Sequence, residues 1–282
     1  MKDGPAAARI DRPGRARNNF PMPRLAILSD IHANLVALER ALADARQQQA
    51  DRIVCLGDIV GYGPDPVACV DLVRRACAWS LCGNHDVALF LPTAVGFNRI
   101  AREALEWHRD CLKPSWLSLR AKRERWQWLR ALQPMRREDK VLYVHGSPLD
   151  PLLEYVDESD VADLGFGPST KIIEIFEQMP AVCFCGHSHR PGVVTEDFHW
   201  IKPHQLEDRT YRLEPGEKTL INVGSVGQPR DRNPELSYVI FEPDRRLVRF
   251  RRVPYDVEAA QARFDARPWL HERSRERLRD GV

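Results

Sequence analysis

Two stretches decide the fold of this chain: Leu25-Ala-Ile-Leu-Ser-Asp-Ile-His32 and Ile53-Val-Cys-Leu-Gly-Asp58. Each begins with a short apolar run and then places an aspartate after a small residue. Between them, apolar residues recur at helical spacing over residues 33–48. Strand, helix and strand in this order predict parallel β-strands joined by right-handed crossovers. Ligands of such sheets bind beyond the carboxyl ends of the strands, where both aspartates lie.

The alternation continues for half of the chain and then changes. We predict helices at 66–77 and 169–178 and strands at 79–82, 141–144 and 181–185. A helical insertion, split near Pro114, occupies residues 93–132. The later short strands predict an antiparallel ribbon, at 193–195, 210–213, 220–223, 238–241 and 247–253. Helical patterns at 256–266 and 268–280 close the chain.

No internal repeat or low-complexity linker divides the chain, so we predict one α/β domain with two sheets. Residues 1–23 are expected to be a flexible N-terminal extension or a misassigned start. The domain then covers residues 24–260, and a charged C-terminal helix or tail covers 261–282.

Composition excludes several classes of protein. The 282 residues carry a formal net charge of +2, which is typical of neither a strong polyanion binder nor an acidic protein. No run of about eighteen apolar residues predicts a membrane span, and the N-terminus lacks the apolar core of a secretory signal. Seven cysteines without regular spacing favour a reducing cytoplasm. Both ends are rich in arginine, which indicates solvated segments or, alternatively, contact with nucleic acid or a membrane surface.

Five short segments concentrate Asp, Asn and His, and four of them follow apolar runs. They are Ser29-Asp-Ile-His32, Gly57-Asp58, Gly83-Asn-His-Asp86, Val144-His-Gly146 and Gly186-His-Ser-His189. Residues i and i+2 of a strand share one side, so we expect Asp30 and His32 to reach one metal ion together. By the same argument, His187 and His189 can face a common site.

The donor types in these segments indicate a metal centre. A carboxylate such as Asp58 can bridge two cations, whereas an imidazole cannot. Nitrogen and oxygen donors without thiolate suit Mn²⁺, Fe or Zn²⁺ better than Ca²⁺ or Mg²⁺ alone. Two such ions about 3.5–4 Å apart are typical of hydrolytic phosphate chemistry. A single segment of this kind more often has a purely structural role. Five of them in this order indicate a metal centre.

The five segments resemble the signature of the calcineurin-like metallophosphoesterases over residues 24–254. Within that superfamily, Gly57-Asp-Ile-Val-Gly-Tyr-Gly-Pro64 and Asn222-Val-Gly-Ser-Val-Gly-Gln-Pro-Arg230 resemble the small bacterial phosphodiesterase branch. The resemblance implies a four-layer α/β/β/α sandwich of two mixed sheets. It also implies two divalent or trivalent metal ions, with Mn²⁺ favoured and Fe, Zn²⁺ or Ni²⁺ as alternatives.

The resemblance also implies a role for each matching residue. It places the first metal ion on Asp30, His32, Asp58 and His189. It places the second on Asp58, Asn84, His145 and His187, with Asp58 as the bridge. His85 is expected to stabilise the phosphoryl group or protonate the leaving oxygen, although a purely orienting role stays open.

One position departs from the protein-phosphatase branch of the superfamily. That branch carries a second aspartate, which orients the catalytic histidine, where this chain has Gly61. Asp86 or Asp65 are candidates to replace it as the acid partner of His85. The glycine argues against a Ser/Thr protein phosphatase and against a symmetrical dinucleoside tetraphosphatase.

Four further residues are candidates for substrate binding. Arg230 follows a glycine-rich turn and could hold phosphate by a bidentate fork, or form a structural salt bridge instead. Tyr62, Asn98 and Arg99 lie on segments expected to overhang the site. Phe97 and Trp107 could stack on nucleotide bases, although aromatic residues at helical spacing are more often core residues.

We therefore predict a dinuclear phosphoesterase that cleaves a phosphodiester or phosphoanhydride by metal-activated hydroxide. Its substrate is expected to be a phosphorylated small molecule or nucleotide, without a membrane partner. The alternatives are an asymmetrical dinucleoside polyphosphate hydrolase, a nuclease, or a non-catalytic scaffold of the same fold. Scaffolds typically lose ligands, and here every expected ligand is present. The oligomeric state stays open.

Overall fold

The computed structural model describes residues 22–92, 96–162 and 167–282. Nearly all of the predicted N-terminal extension lies outside these residues, and so do the first three residues of the predicted insertion. Among the described residues, no helix combines the length and the apolar character that a membrane crossing requires.

The first sheet contains the two stretches that open the sequence. Its strands are β1 (Leu25–Leu28), β2 (Arg52–Cys55), β3 (Trp79–Ser80), β9 (Thr210–Arg212), β11 (Leu236–Glu242) and β12 (Leu247–Val253). Their order across the sheet is β3-β2-β1-β11-β12-β9. The first three are parallel, as predicted, and β11, β12 and β9 add an antiparallel half.

The second sheet has the order β4-β5-β6-β10-β7-β8. Its strands are β4 (Met135–Glu138), β5 (Val141–Val144), β6 (Val182–Cys185), β7 (Gly192–Thr195), β8 (Trp200–Ile201) and β10 (Thr219–Asn222). The prediction of an antiparallel ribbon is wrong for β10, because β10 pairs parallel with β6 and antiparallel with β7. All four residues of β10 are buried, which is typical of a central strand covered on both faces.

In the part of the chain that the structure describes, eight α-helices cover the two sheets and the site. They are α1 (Leu35–Gln47), α2 (Pro66–Ala76), α3 (Asn84–Ala88), α4 (Arg99–Leu112), α5 (Arg120–Ala131), α6 (Thr170–Gln178), α7 (Val257–Asp265) and α8 (Glu272–Asp280). Short 3₁₀ turns lie at Glu158–Asp160, Pro203–Gln205, Glu207–Arg209 and Pro243–Arg245. The predicted helical insertion is the pair α4 and α5, and the connection that contains Pro114 separates them.

Alternation along β1 shows why the layers form. Ala26 and Leu28 pack outward against the helices that cover the first sheet, whereas Leu25 and Ile27 pack inward against the second sheet. On the far side, Ile172 of α6 packs against the outer face of the second sheet. Helix, sheet, sheet and helix are therefore stacked in turn. The predicted four-layer α/β/β/α sandwich is confirmed.

The C-terminal segment packs against the body of the protein. Leu278 of α8, Phe264 of α7 and Ala104 of α4 share one apolar cluster. The predicted domain boundary at residue 260 falls inside α7, which continues without a break to Asp265. Helix α8 is thereby held at a defined place beside the first sheet.

Candidate metal centre

The predicted ligands lie beyond the carboxyl ends of strands, but the alternation of side chains along a strand does not bring them together. Strand β1 ends at Leu28, so Asp30 and His32 do not share a strand face. Both adopt left-handed backbone, with φ of 54° and 48°. Asp58, His187 and His189 are left-handed as well, at 51°, 63° and 60°. Such φ values are uncommon outside glycine, and they concentrate where function requires them. The argument from strand alternation is therefore wrong here, although the side chains do converge.

Asn84 reaches the site from a helix that the sequence pattern did not reveal. It is the first residue of α3, and Gly83 is the N-cap. A Cβ atom on Gly83 would lie only 2.1 Å from Asp58 Oδ1, so only glycine fits between them. The backbone N–H of His85 donates to the same Asp58 oxygen at 2.8 Å. These contacts join the second and third sequence segments.

One cluster gathers the side chains of Asp30, His32 and His189. Asp30 Oδ1 lies 3.1 Å from His189 Nε2 and 3.8 Å from His32 Nε2. The two imidazole nitrogens, His32 Nε2 and His189 Nε2, are 3.0 Å apart. All three residues are buried. They are three of the four residues predicted to hold the first metal ion; Asp58 is the fourth.

A second cluster forms beside the first, and Asp58 joins them. His145 Nε2 lies 3.4 Å from Asp58 Oδ2, 3.1 Å from His187 Nδ1 and 3.2 Å from Asn84 Oδ1. The same Asp58 oxygen is 3.7 Å from His32 Nε2 of the first cluster. Every predicted ligand is therefore brought together, and one carboxylate oxygen stands between the two groups.

The hydrogen bonds of the rings show that the site fits cations. His32 Nδ1 contacts the carbonyl of Val60 at 3.1 Å, and His189 Nδ1 contacts that of Gln228 at 2.5 Å. A carbonyl accepts, so each Nδ1 carries the proton and each Nε2 presents a lone pair. Two lone pairs then face each other at 3.0 Å, which is unfavourable unless a cation lies between them. Two nitrogens that each lie about 2.1 Å from one ion are about 3.0 Å apart at a right angle and about 3.4 Å apart in a tetrahedron.

The second cluster repeats this arrangement. His187 Nε2 contacts the carbonyl of Leu153 at 3.2 Å, which leaves its Nδ1 as a lone pair directed at His145. Among the described residues, Asp30 Oδ1, which faces His189 and His32, is buried without a hydrogen-bond partner. Buried polar atoms are otherwise almost always partnered, so this carboxylate fits a bound metal.

Charge within the site points the same way. Burial raises the pKa of Asp58, but the neighbouring His145 and His85 lower it by more than burial raises it. The pKa of Asp58 therefore lies well below its usual range. Burial lowers the pKa of His145, but the charge of Asp58 outweighs this and raises the pKa to about 9. Burial and the charge of His145 lower the pKa of His187 to about 3. Two buried carboxylates thus face mostly neutral rings, an arrangement that favours added positive charge.

His85 lacks the acid partner that we considered. The carboxylate of Asp86 accepts hydrogen bonds from the backbone N–H groups of Ile59, Val60 and Gly83 instead. Asp65 is paired with Arg263 of α7. Both candidates are therefore wrong, because each carboxylate is already committed elsewhere. Among the described residues, His85 Nδ1 has no hydrogen-bond partner.

Gly61 leaves no room for an acid at its position. Its φ is +101°, and a Cβ atom there would lie 2.3 Å from His85 Nδ1. The buried side chain of His108, on α4, holds this loop in place. Its Nδ1 accepts from the N–H of Gly61 at 3.0 Å, and its Nε2 contacts the carbonyl of Gly63 at 2.9 Å. A structural histidine on the insertion thus supports the loop under His85.

The predicted substrate residues divide into two groups. Tyr62 and Asn98 line an open cleft of about 320 Å³ together with Asn84, His85, Phe97 and His187. Arg230 stands behind Tyr62, with its guanidinium carbon 5.9 Å from the centre of that ring. Arg99 lies farther out, is largely exposed, and pairs with Glu103.

The aromatic candidates differ from each other. The ring of Phe97 lies 4.8 Å from that of His85, in the cleft. Trp107 packs against Trp269, 5.8 Å away, in the apolar cluster of α7 and α8. The suggestion that Trp107 stacks on a base is wrong, because its ring is part of this packing. Tyr155, which we did not consider, stacks on His187 at 3.9 Å, and no motif marked it.

Comparison with known proteins agrees with this geometry. The family model for the calcineurin-like phosphoesterase superfamily domain matches residues 24–246. The chain belongs to that superfamily. It is 33% identical over 259 residues to an uncharacterized protein of Methanocaldococcus jannaschii, covering 88% of this chain and 96% of the relative.

Solved structures also resemble this chain over most of its length. A metallophosphoesterase from Sphaerobacter thermophilus superposes with a TM-score of 0.76 at 37% identity, covering 92% of this chain and 99% of that one. A hypothetical protein from Pyrococcus horikoshii OT3 has a TM-score of 0.70 at 17% identity, with coverage of 93% and 99%, and shows the shared fold. The predicted class of enzyme, a metal-dependent phosphoric ester hydrolase, is confirmed for this calcineurin-like phosphoesterase.

Proposed function

We propose that this protein is a dinuclear phosphoesterase that hydrolyses a phosphodiester or phosphoanhydride. One observation carries the proposal. The Oδ2 atom of Asp58 lies 3.7 Å from a nitrogen of one cluster and 3.4 Å from a nitrogen of the other. A carboxylate in that place is suited to bridge two cations, and a mononuclear site has no need of it.

Two metal ions would be held by four residues each. We assign the first to Asp30, His32, Asp58 and His189, and the second to Asp58, Asn84, His145 and His187. The mixed nitrogen and oxygen donors favour Mn²⁺, with Fe, Zn²⁺ or Ni²⁺ as alternatives. When bound, such ions polarise phosphoryl oxygens and lower the pKa of water.

The residues of this chain orient the substrate around that centre. His85 Nε2 lies 4.0 Å from Asp58 Oδ2, and its ring lines the cleft, so it is placed to donate a hydrogen bond to a phosphoryl or leaving oxygen. Gly61 leaves space behind the ring, and His108 holds the loop that provides it. Tyr62 and Asn98 border the same cleft and are placed to contact the substrate.

An asymmetrical dinucleoside polyphosphate hydrolase is the second candidate. Phe97 and Tyr155 both line the cleft, against His85 and His187 respectively. Two aromatic walls suit a planar leaving group or a nucleotide base. This observation supports a nucleotide substrate over a purely aliphatic ester.

The cysteines support a cytoplasmic location. All seven are free, and Cys55, Cys69, Cys82, Cys183 and Cys185 are buried. Cys55, Cys183 and Cys185 pack within apolar clusters of the two sheets, as small apolar side chains do. Free thiols persist in reducing compartments.

A substrate panel tests the proposal. The Mn²⁺-loaded protein would be assayed on bis-(p-nitrophenyl) phosphate, p-nitrophenyl phosphate and diadenosine tetraphosphate, with Asp58→Asn as the background control. We expect faster cleavage of the diester or the anhydride than of the monoester. Faster monoester cleavage contradicts the diesterase assignment. Activity on none of the three, with less than one metal ion bound per chain, supports the scaffold alternative.

A further inference from the structure

Helix α8 directs two arginines toward the site. Ser274 and Leu278 are its buried residues, and they attach the helix to the body of the protein. Arg273 and Arg277, four residues apart, lie on one helical face. Both line an open cleft of about 430 Å³, whose other walls are Asn98, Arg99, Ile100 and His271. None of the described acidic side chains lines this cleft.

Arg277 is half-buried, and none of the described carboxylates forms an ion pair with it. Among the described residues, its Nε atom has no hydrogen-bond partner, and the same is true of Arg230 Nε. Burial lowers the pKa of Arg277, the positive charges of Arg230 and Arg273 lower it further, and Tyr62 opposes them. Guanidinium groups that are desolvated beside like charges are costly unless an anion joins them.

Two other partly buried arginines of this protein are paired with carboxylates. Arg125 binds Asp71 through hydrogen bonds of 2.8 and 2.6 Å, and Arg251 binds Asp44 through two of 3.0 Å. At these two positions a carboxylate offsets the cost of desolvating the guanidinium. Arg277 makes no such pair with the described carboxylates, which indicates that its anionic partner comes from outside the chain.

The arginine cleft adjoins the cleft at the metal centre. Asn98 lines both the cleft of Arg277 and the cleft that contains His85. Arg230 stacks over Tyr62, and the ring of Tyr62 lies 4.8 Å from that of His85. Asn98 and Tyr62 therefore connect the metal centre to the arginines.

We propose that Arg277, with Arg230 and Arg273, binds a second phosphate group of the substrate. The preferred substrates are then phosphodiesters or phosphoanhydrides that carry a further phosphate beyond the scissile one. This inference rests on the proposed function, because it needs the scissile phosphate at the metal centre. It assigns the C-terminal helix to substrate selection.

A matched pair of substrates tests the proposal. Thymidine 5′-(p-nitrophenyl phosphate) would be compared with the same ester carrying a 3′-phosphate, using the full Mn²⁺-loaded protein. We expect kcat/KM to be at least tenfold higher for the 3′-phosphorylated ester. Arg277→Ala should reduce that preference at least tenfold, and Arg277→Lys, which keeps the charge but loses the fork, should reduce it less.

Arg279→Ala is the matched control. It removes the same charge from the same helix, but Arg279 contacts Gln261 and lines a different cleft. We expect it to keep the wild-type preference. Equal preference in wild type and Arg277→Ala, or no preference in wild type, overturns the inference while leaving the phosphoesterase intact.

Binding provides a readout that does not depend on turnover. Calorimetry with adenosine 3′,5′-bisphosphate and with adenosine 5′-monophosphate would measure the gain from the second phosphate. We expect at least tenfold tighter binding of the bisphosphate, and loss of that gain in Arg277→Ala but not in Arg279→Ala. Loss of turnover on both esters, with the binding gain kept, contradicts the proposed function and not the anion site. Equal affinity for the two nucleotides overturns the site itself.

Discussion

Two buried aspartates of this protein, Asp44 and Asp58, have opposite surroundings. Asp44 accepts a 2.6 Å hydrogen bond from the hydroxyl of Tyr238 and two 3.0 Å bonds from Arg251. Asp58 faces His32 and His145, whose nitrogens lie 3.7 and 3.4 Å from its Oδ2. A carboxylate with complete partners stabilises a fold. A carboxylate among lone pairs is arranged for a ligand that the chain does not supply.

The backbone repeats this contrast. Asp44 lies inside helix α1, in ordinary helical conformation. Asp58 and Asp30 are left-handed, with φ of 51° and 54°. Left-handed conformation costs of order 1 kcal/mol or more for each residue that is not glycine. The metal site therefore stores strain that the Asp44 network does not, and substitutions at the two aspartates should have different consequences.

The largest effect is expected for Asp58→Asn. The variant keeps the shape of the side chain and an oxygen for the N–H of His85, but removes the bridging charge. We expect kcat/KM for the best substrate to fall by about a thousandfold or more, which corresponds to about 4 kcal/mol. Thermal unfolding without metal should stay close to that of the wild type. Turnover within tenfold of wild type would contradict the bridging role.

The rise in Tm on addition of metal should differ between substitutions at the two aspartates. With Mn²⁺ at about a hundredfold excess over its Kd, the native state gains about 2.7 kcal/mol by mass action. For a chain of this size that raises Tm by roughly 5–10 °C. Scanning calorimetry should show this rise in wild type and in Asp44→Asn, and at most half of it in Asp58→Asn. An equal rise in all three proteins would place the metal elsewhere.

Asp44→Asn should lower stability and leave activity unchanged. Losing the ion pair leaves Arg251 and Tyr238 poorly matched, at a cost of about 2 kcal/mol. Burial raises the pKa of Asp44, but its hydrogen bonds from Arg251 and Tyr238 outweigh this, so the pKa is lowered. A depressed carboxyl pKa stabilises the protein above the unfolded value of about 3.9, and this stability is lost as pH falls through the native pKa.

Urea unfolding at two pH values measures that dependence. The difference between wild type and Asp44→Asn should be full at pH 7 and should shrink below about pH 4. A difference that is constant with pH would mean that the substitution acts through packing and not through charge.

The contrast between the two aspartates also shows what can be read from the sequence. Every side chain that we propose as a metal ligand could be picked out from the sequence, because few structural needs place Asp, Asn and His together at strand ends. The left-handed turns at Asp30 and His32 could not, since neither residue type signals a positive φ as glycine does. The three hydrogen bonds that Asp86 accepts from backbone N–H groups could not be predicted either, because they depend on the path of the loop around Asp86.

Polar elements far from the motifs were also hidden. Strand β4 reads Met-Arg-Arg-Glu and has no apolar period, because it lies at the edge of its sheet. The approach of Arg277 to the site depends on packing between residues distant in sequence. Leu278 meets Phe264 and Ala104 in one apolar cluster. A charged helix pattern shows the apolar side of α8 but not the surface that it covers.

The smallest effect is expected for an ion pair whose charged atoms lie close together but are exposed to solvent. Arg120 Nε lies 2.6 Å from Glu124 Oε1, closer than the 3.0 Å of Arg251 and Asp44. The Arg120 side chain is 92% exposed, whereas that of Asp44 is 4% exposed. Exposed i,i+4 pairs contribute about 0.5 kcal/mol or less. Glu124→Gln should therefore leave urea unfolding almost unchanged at pH 7. A loss as large as that of Asp44→Asn would show that distance, and not desolvation with complete partners, determines what a carboxylate contributes here.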